Sequence, residues 1–510
     1  MHVGVMKMYK SSEKQIMISD DFFLPFGGKL NRKNRWVKLA ELIPWWEFED
    51  KYVGNFRSPN TGEEAFSVRV GLGTLIIKTR LAISDEETVN QIAENPYLQY
   101  FLGFPRFIEE KPFADSLITH FRKRFSADIL NEINERIAAF AIENENKDDN
   151  NQMGPPSSSR SHNEPEDDEE VNCKKSGKII LDATCTPADI QYPTDARLLN
   201  EARVKLEEII DILHEPEKGL RKKARTYRQK AHDSYIAFTK QRKPKPAVIR
   251  KMKGKLLRYI RRDIKIVEAL VRRNGLELLN KRQYKNLLVI QELYRQQNEM
   301  YENGQYRIED RIVSISQPHV RPIVRGKASA SVEFGAKLSV SVVNGYVFSE
   351  KLEWDAYNEN GTLIDSIERY KEKRGFYPEA VLADKIYRTR GNRDFCKARG
   401  IRLSGPKLGR TTEEEKKEAK KQAYQDSCER NEVEGKFGTG KRKYTMDCIM
   451  AKLKETSEST IILNLIVMNL EKKLQLLLRK FLHWLSKFKN LCRIGLNWYL
   501  WGGEIRQASR

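Results

Sequence analysis

The sequence predicts an α/β protein in which a mixed sheet carries a helical insertion and follows an all-helical N-terminal domain. Two apolar runs lead directly to Asp182 and Asp384, and such runs are typical of buried strands that end on a carboxylate. Helical patterns fill residues 1–142 and, between the two predicted strands, residues 196–301. Because strands interrupted by helices indicate an α/β sheet, we expect residues 177–475 to form one domain around it.

Residues 1–142 carry the signals of short helices joined by tight turns. Ser84 is placed to cap one helix, and Asn95, which precedes a proline, is placed to end it and to start the next. Gly103 is expected to end that second helix, and a third is predicted around residues 113–125. This pattern is compatible with a helix-turn-helix domain that binds DNA, although any small helical bundle has the same pattern.

Two segments outside these domains have their own composition. Residues 143–176 are acidic and almost free of aliphatic side chains, which predicts a disordered linker. We interpret this linker either as an inert tether or as an acidic competitor for a basic surface. Residues 476–510 form an amphipathic tail with Trp484, Trp498 and Trp501, and the tail is either a packing helix or an oligomer contact.

The charge of the chain is strongly basic and unevenly distributed. The 510 residues include 92 Lys and Arg against 71 Asp and Glu, a net charge of +21 that favours a polyanionic partner. Residues 218–285 alone hold 24 Lys and Arg and only 4 Asp and Glu. A solvated helical face usually mixes charges of both signs, so a phosphate-binding surface is the better interpretation. Four clustered cations are the predicted phosphate contacts: Arg221, Lys222, Lys223 and Arg225.

Cysteines and apolar runs indicate a reducing compartment and no membrane insertion. The six cysteines are scattered without a CxxC pair, so neither a disulfide framework nor a zinc site is expected. The longest apolar run, residues 461–470, is broken by Asn464 and Asn469. It is too short to span a bilayer and predicts a buried helix instead.

Three acidic residues form the predicted metal site. Asp182 and Asp384 are expected at the carboxyl ends of adjacent strands, where open α/β sheets usually place their sites. Glu434 follows on a helix-compatible segment, in competition with Glu429 and Glu432. Carboxylate oxygens are the ligands that Mg²⁺ prefers, and a pair of such ions supports phosphoryl transfer. Either aspartate, taken alone, could equally cap a turn.

The sequence blocks around these acids have a recognisable form. Residues 181–184 read Leu-Asp-Ala-Thr and are followed at residues 192–195 by Tyr-Pro-Thr-Asp, and residues 383–387 read Ala-Asp-Lys-Ile-Tyr. Further along, Arg430, Glu434 and Lys441 follow the spacing Arg-x3-Glu-x6-Lys.

These blocks resemble those of the DDE transposases of bacterial insertion sequences, whose catalytic domain has a ribonuclease-H-like fold. The resemblance spans about residues 20–475. In many members a tyrosine precedes the arginine by three positions, and here Ser427 stands in that place. The departure leaves the acids intact and affects only a DNA contact that depends on the tyrosine.

The resemblance implies a function as well as a fold. Asp182, Asp384 and Glu434 would hold two Mg²⁺ ions, with Mn²⁺ as the alternative, while Arg430 and Lys441 would contact DNA phosphates. The partner would be double-stranded DNA, both the terminal inverted repeats of the element and the target. Family members pair two element ends, which implies a homodimer on DNA in the bacterial cytoplasm, associated with the nucleoid.

Two other functions remain open at this point. One is a catalytically inactive DNA-binding protein derived from such a transposase, which Ser427 and the glycines after Glu434 suggest. Gly435, Gly438 and Gly440 have low helix propensity, so Lys441 is expected on a loop. The other is a related metal-dependent nuclease that cuts without joining, because both reactions use the same acids.

Overall fold

A computed structural model describes most of the chain. The described residues are 18–24, 27–54, 65–150, 177–324, 332–406 and 412–479. Most of the predicted linker, residues 151–176, and the three tryptophans of the tail lie outside them.

The N-terminal region is helical, as predicted. Its helices are α1 (Arg35–Leu42), α2 (Glu49–Val53), α3 (Val68–Leu81), α4 (Asp85–Glu94), α5 (Pro96–Leu102), α6 (Ser116–Arg124) and α7 (Ala127–Asn150). The Ser84 side chain accepts a hydrogen bond from the Glu87 N–H and caps α4. Asn95 caps α5, which ends at Gly103 with φ +85°. The three predicted helix signals are therefore confirmed.

Helix α7 crosses the predicted boundary at residue 142. It remains helical to Asn150, so the prediction of a disordered linker is wrong for residues 143–150. The helix is already established by Ile133 and Ile137, which are buried, and extending an existing helix is far easier than starting one. Acidic composition alone therefore misplaced the end of this domain.

The sheet has six strands in a mixed arrangement. They are β1 (Lys178–Pro187), β2 (Arg321–Val324), β3 (Val332–Val343), β4 (Tyr346–Glu353), β5 (Ala380–Leu382) and β6 (Arg402–Leu403). The order is β2-β3-β1-β5-β6, and β4 also pairs with β3. Strand β1 runs antiparallel to β3 and parallel to β5. Asn344 (φ +51°) and Gly345 (φ +74°) form the predicted tight turn between β3 and β4.

Four helices form the insertion between β1 and β2. They are α8 (Asp195–His214), α9 (Arg228–Thr239), α10 (Pro246–Asn274) and α11 (Lys281–Asn303), and they share a hydrophobic core of their own. Helices α8 and α10 run parallel. Near the start of both, Lys253 lies 2.6 Å from Asp195, and beyond the end of α8, Arg273 lies 2.7 Å from Glu217. The insertion is thus a compact bundle with two opposite ends.

Helices cover both faces of the sheet. Helices α12 (Leu363–Arg374) and α13 (Arg390–Ala398) cover the face that carries Ile179 and Leu181. Helix α14 (Glu413–Lys443) and a final helix α15, over residues 454–479, cover the face that carries Ile180 and Leu382. This mixed sheet, with its helical insertion and helical N-terminal region, confirms the predicted fold class and is consistent with a ribonuclease-H-like domain.

Two sequence predictions about elements are wrong. Residues 311–315 are not a strand: Ile312 and Ile315 pack in the core of the insertion while Val313 packs in the main core. The segment alternates because it joins two cores, not because it pairs in a sheet. The predicted boundary at residue 475 also falls inside α15, whose residues 461–470 are buried as expected.

Candidate active site

The register of the sheet places Asp182 and Asp384 side by side. Strands β1 and β5 pair in parallel, and their last pair is Ile180 with Leu382. Each aspartate lies two residues beyond that pair. Because side chains alternate along a strand, both carboxylates are on the face that α14 covers.

The two aspartates reach this position differently. Asp384 follows the end of β5, as predicted, and its carboxylate accepts a hydrogen bond of 2.6 Å from the Lys385 N–H. Asp182 is not at a strand end: β1 continues to Pro187, paired with β3 along its length. The prediction failed because β1 has a short partner and a long one. Asp182 lies where the short partner, β5, stops.

The surroundings of Asp182 are rich in negative charge. Burial raises the pKa of its carboxyl, and the carboxylates of Glu359 and Asp384 raise it further. The Ala183 N–H, which donates a hydrogen bond of 2.8 Å to Asp182, and the Arg430 guanidinium act in the opposite direction. A cation at this position would therefore be stabilised by the charge already present.

Helix α14 crosses the sheet with two functionally different sides. Glu429 binds Lys178, at the beginning of β1, with an N–O distance of 2.8 Å. Arg430, the next residue, points to the opposite end of the strands, and its Nη1 lies 3.8 Å from Oδ1 of Asp384. The Nε of Arg430 is buried and makes no hydrogen bond within the described residues. One side of α14 thus faces the aspartates and the other faces the start of β1.

Of the three competing acids, Glu434 is on the side of the aspartates. It lies four residues after Arg430, which is about 40° around an ideal helix. Glu432 lies beside Gly345, in the turn at the Lys178 end of the sheet, and Glu429 is bound to Lys178. The geometry thus selects the same acid as the sequence spacing, and Glu434 is exposed.

Lys441 lies on the helix, and its prediction as a loop residue is wrong. Helix α14 continues through all three glycines to Lys443. A Cβ at Gly440 would lie 2.8 Å from the Met446 sulfur, so close packing against the next segment accounts for this glycine. On the continuous helix Lys441 is about 20° from Glu434, on the side of the aspartates.

The residues fit a hard divalent cation in type. Asp182 and Asp384 offer adjacent carboxylates, and Glu434 offers a third on the same side of α14. Within the described ranges, however, no three His, Cys, Asp or Glu side chains are assembled into a ready metal site. The donor chemistry is therefore in place, while the three carboxylates are not gathered around one point.

Glu359 is an acid at this site that sequence reasoning missed. It starts a 3-10 turn before α12 and forms an ion pair of 2.9 Å with Lys337 of β3. Among charged groups it has the largest effect on the pKa of Asp182. No spacing could have identified it, because its proximity to Asp182 arises only when the sheet forms.

The basic insertion is less uniformly available than its composition indicates. Six of its cations are in ion pairs: Lys218, Lys223, Arg228, Lys253, Arg262 and Arg273. Lys223, a predicted phosphate contact, binds Asp211, whereas Arg221, Lys222 and Arg225 are exposed and have no ion pair within the described part of the chain. A second exposed group follows α9 at the other end of the bundle: Lys240, Arg242, Lys243 and Lys245.

Comparison with known proteins agrees with this architecture. Residues 25–124 match the family described as Transposase domain (DUF772), and residues 381–471, which include Asp384 and Glu434, match the family Transposase DDE domain. The chain is 32% identical over 173 residues to "Uncharacterized protein ORF8 in nfe locus" of Rhizobium meliloti, covering 34% of this chain and 71% of the relative. No solved structure matches.

The described helices include none that is long and apolar enough to cross a membrane. Two family matches, placed on the helical N-terminal region and on the half of the sheet that carries Asp384, coincide with the site found from the geometry. The chain therefore belongs to the DDE transposase family.

Proposed function

We propose that this chain binds the terminal inverted repeats of an insertion sequence, cleaves DNA at its ends and joins the 3′ ends to target DNA. The observation that carries the proposal is the pair Asp182 and Asp384, adjacent in register on the face of the sheet that α14 crosses. The side of α14 toward that pair carries Glu434. Three acids on these elements suit metal-dependent phosphoryl transfer.

In this proposal the three acids hold two Mg²⁺ ions, or Mn²⁺ in their place. Asp182, on the rigid central strand, is shared between the ions, and Asp384 and Glu434 each hold one. When bound, such ions lower the pKa of a coordinated water and offset the charge of the phosphate. Arg430 and Lys441 contact phosphate oxygens beside the acids. For Arg430 the support is its buried Nε, which lacks a hydrogen-bond acceptor in the described residues.

DNA binding is divided between two regions in the proposal. The helical domain of residues 1–142 reads the element end through a helix-turn-helix-like arrangement. The insertion holds the phosphate backbone through its exposed cations, above all Arg221, Lys222 and Arg225, with Lys223 already bound to Asp211. The acidic segment after α7 links these regions, and two chains act as a homodimer, associated with the nucleoid in the bacterial cytoplasm.

The decisive experiment compares amide variants of acids on the two sides of α14. Asp182→Asn, Asp384→Asn and Glu434→Gln each remove one negative charge without changing size. We expect each to abolish Mg²⁺-dependent cleavage of a plasmid that carries the element ends, while DNA binding persists. Glu432→Gln, on the other side of the same helix, is the matched control and should cleave as the wild type does.

The products of the same assay separate the related activities. A pre-cleaved end with a free 3′-hydroxyl should become joined to a second plasmid, whereas a nuclease would only nick it. Full cleavage by Glu434→Gln would remove this residue from the site. A wild-type chain that binds but never cleaves in Mg²⁺ or Mn²⁺ would identify an inactive DNA-binding derivative.

A further inference from the structure

The first half of α14 stands clear of the rest of the protein. From Glu413 to Gln425 nearly every residue is exposed, and the first buried residue is Asp426, which binds Arg402 at 2.7 Å. At 1.5 Å per residue this free segment is about 20 Å long. It continues without a break into the turn that carries Arg430 and Glu434. A helix that buries so little is retained for something other than the core.

The free segment presents one positive face in line with the active site. On an ideal helix Lys416 points in the same direction as Glu434, and Lys420 lies about 40° from it. Ala423 and Ser427, which fall between them and Glu434 on this face, are small and exposed. The acids Glu414 and Glu418 lie about 160° away, on the far face. The face is therefore basic at its outer end and smooth between that end and the catalytic edge.

The two lysines differ in their immediate partners. Lys416 is 2.6 Å from Glu413, but both side chains are largely exposed, and ion pairs of that kind are weak. Lys420 has no ion pair among the described residues, and neither neighbour four positions away, Lys416 or Tyr424, is an acid. The charge of Lys420 is thus free for a partner that comes to the face.

We propose that this face of α14, with Lys416 and Lys420 at its outer end, is a track for the DNA backbone that leads the duplex to the catalytic acids. The inference rests on the proposed function and adds residues outside the Arg-x3-Glu-x6-Lys pattern. The small side chains of Ala423 and Ser427 allow the backbone to approach the helix closely. Ser427 in place of tyrosine belongs to this smooth surface.

The length of the helix fixes where the contact falls on DNA. Lys420 is separated from Glu434 by about 21 Å along the helix axis. At 3.4 Å per nucleotide along one strand, that distance corresponds to about six base pairs. Lys420 therefore contacts a phosphate about six base pairs from the one that is cleaved.

The test uses two pairs of lysines on the same helix. The full chain with Lys416→Gln and Lys420→Gln is compared with the matched control Lys417→Gln and Lys421→Gln, whose positions lie about 100° and 140° from Glu434. Both variants lose two charges from the same turns. The readout is affinity for a 40-base-pair duplex of random sequence between 50 and 200 mM salt. Each lost phosphate contact lowers the salt slope by about 0.9, so the first variant should lose about 12-fold less affinity across this range than the wild type.

The control pair should behave as the wild type does. Equal effects of the two pairs, or no effect of either, would overturn the track, and neither result depends on whether the chain cleaves DNA. The position is tested with duplexes that carry one neutral methylphosphonate on either side of the cleavage site. A substitution about six base pairs away should weaken wild-type binding and leave the Lys416→Gln, Lys420→Gln variant unaffected, and an equal loss in both would refute the assignment. A failure of the proposed function is recognised separately, as a wild type that binds DNA but does not cut it.

Discussion

Asp263 of α10 is an acid buried inside the insertion, and its replacement by asparagine should change how stability depends on pH. Its Oδ1 accepts hydrogen bonds from Nε and Nη2 of Arg262 at 3.2 and 2.9 Å, while Oδ2 is buried without a partner in the described residues. Burial raises the pKa of this carboxyl to about 6, although Arg262 opposes the shift. In an unfolded chain the pKa would be about 3.9.

The sign of the effect follows from the higher pKa in the folded state. Below pH 4 the group is protonated in both states, and the folded form bears no cost. As the pH rises toward 6, the unfolded chain ionises readily and the folded chain does not, so stability is lost. A difference of about two pH units corresponds to about 3 kcal/mol, which is fully expressed above pH 6.

Asp263→Asn removes this titration while keeping the hydrogen-bond acceptor for Arg262. We expect the free energy of unfolding of the variant, relative to wild type, to rise by about 3 kcal/mol between pH 4 and pH 7. The assay is urea denaturation followed by circular dichroism, with the exposed Asp233→Asn as control. A difference between variant and wild type that stays constant over this pH range would refute the buried charge.

Three further outcomes follow from the packing and the charges. Gly440→Ala should lower the free energy of unfolding by about 1–3 kcal/mol, because its Cβ would meet a methionine sulfur at 2.8 Å, whereas Gly438→Ala, with its nearest contact at 3.5 Å, should be neutral or stabilising in the same urea titration. Asn469→Ala should cost about 2–3 kcal/mol, because buried backbone groups of β4 lose their partners, and faster limited proteolysis of the N-terminal region would report it. Lys222→Gln should flatten the salt dependence of DNA binding by about 0.9, and Lys223→Gln by less, because Lys223 is already ion-paired; equal slopes would contradict this difference.

The sequence was sufficient where local chemistry decides the structure. The apolar run before Asp384, the caps at Ser84 and Asn95 and the turn at Gly345 depend on a few neighbouring residues, and each was predicted. The fold class followed from these elements taken together.

The sequence was insufficient where distant segments decide. The end of β1 is set by pairing with β3, so the apolar run could not show that Asp182 lies in mid-strand. Helix propensity predicted a break at Gly440, but packing against Met446 and Met468 maintains the helix there. Glu359 approaches Asp182 only through the folded sheet. Each failure is a tertiary contact that outweighs a local preference.

The N-terminal helices and the catalytic sheet share one continuous hydrophobic core, which extends from Leu72 and Phe121 to Val340 and Ile466. Inside it, Asn469 of α15 donates hydrogen bonds of 2.8 Å both to Asn134 of α7 and to the Val347 carbonyl of β4. The two regions therefore cannot turn independently. If the helical domain reads the element end as proposed, this joint acts as a ruler: the bases that are recognised fix, by the dimensions of the protein, which phosphodiester bond reaches the acids. The cut would then be counted from the binding sequence and would be indifferent to the bases at the cleavage point itself.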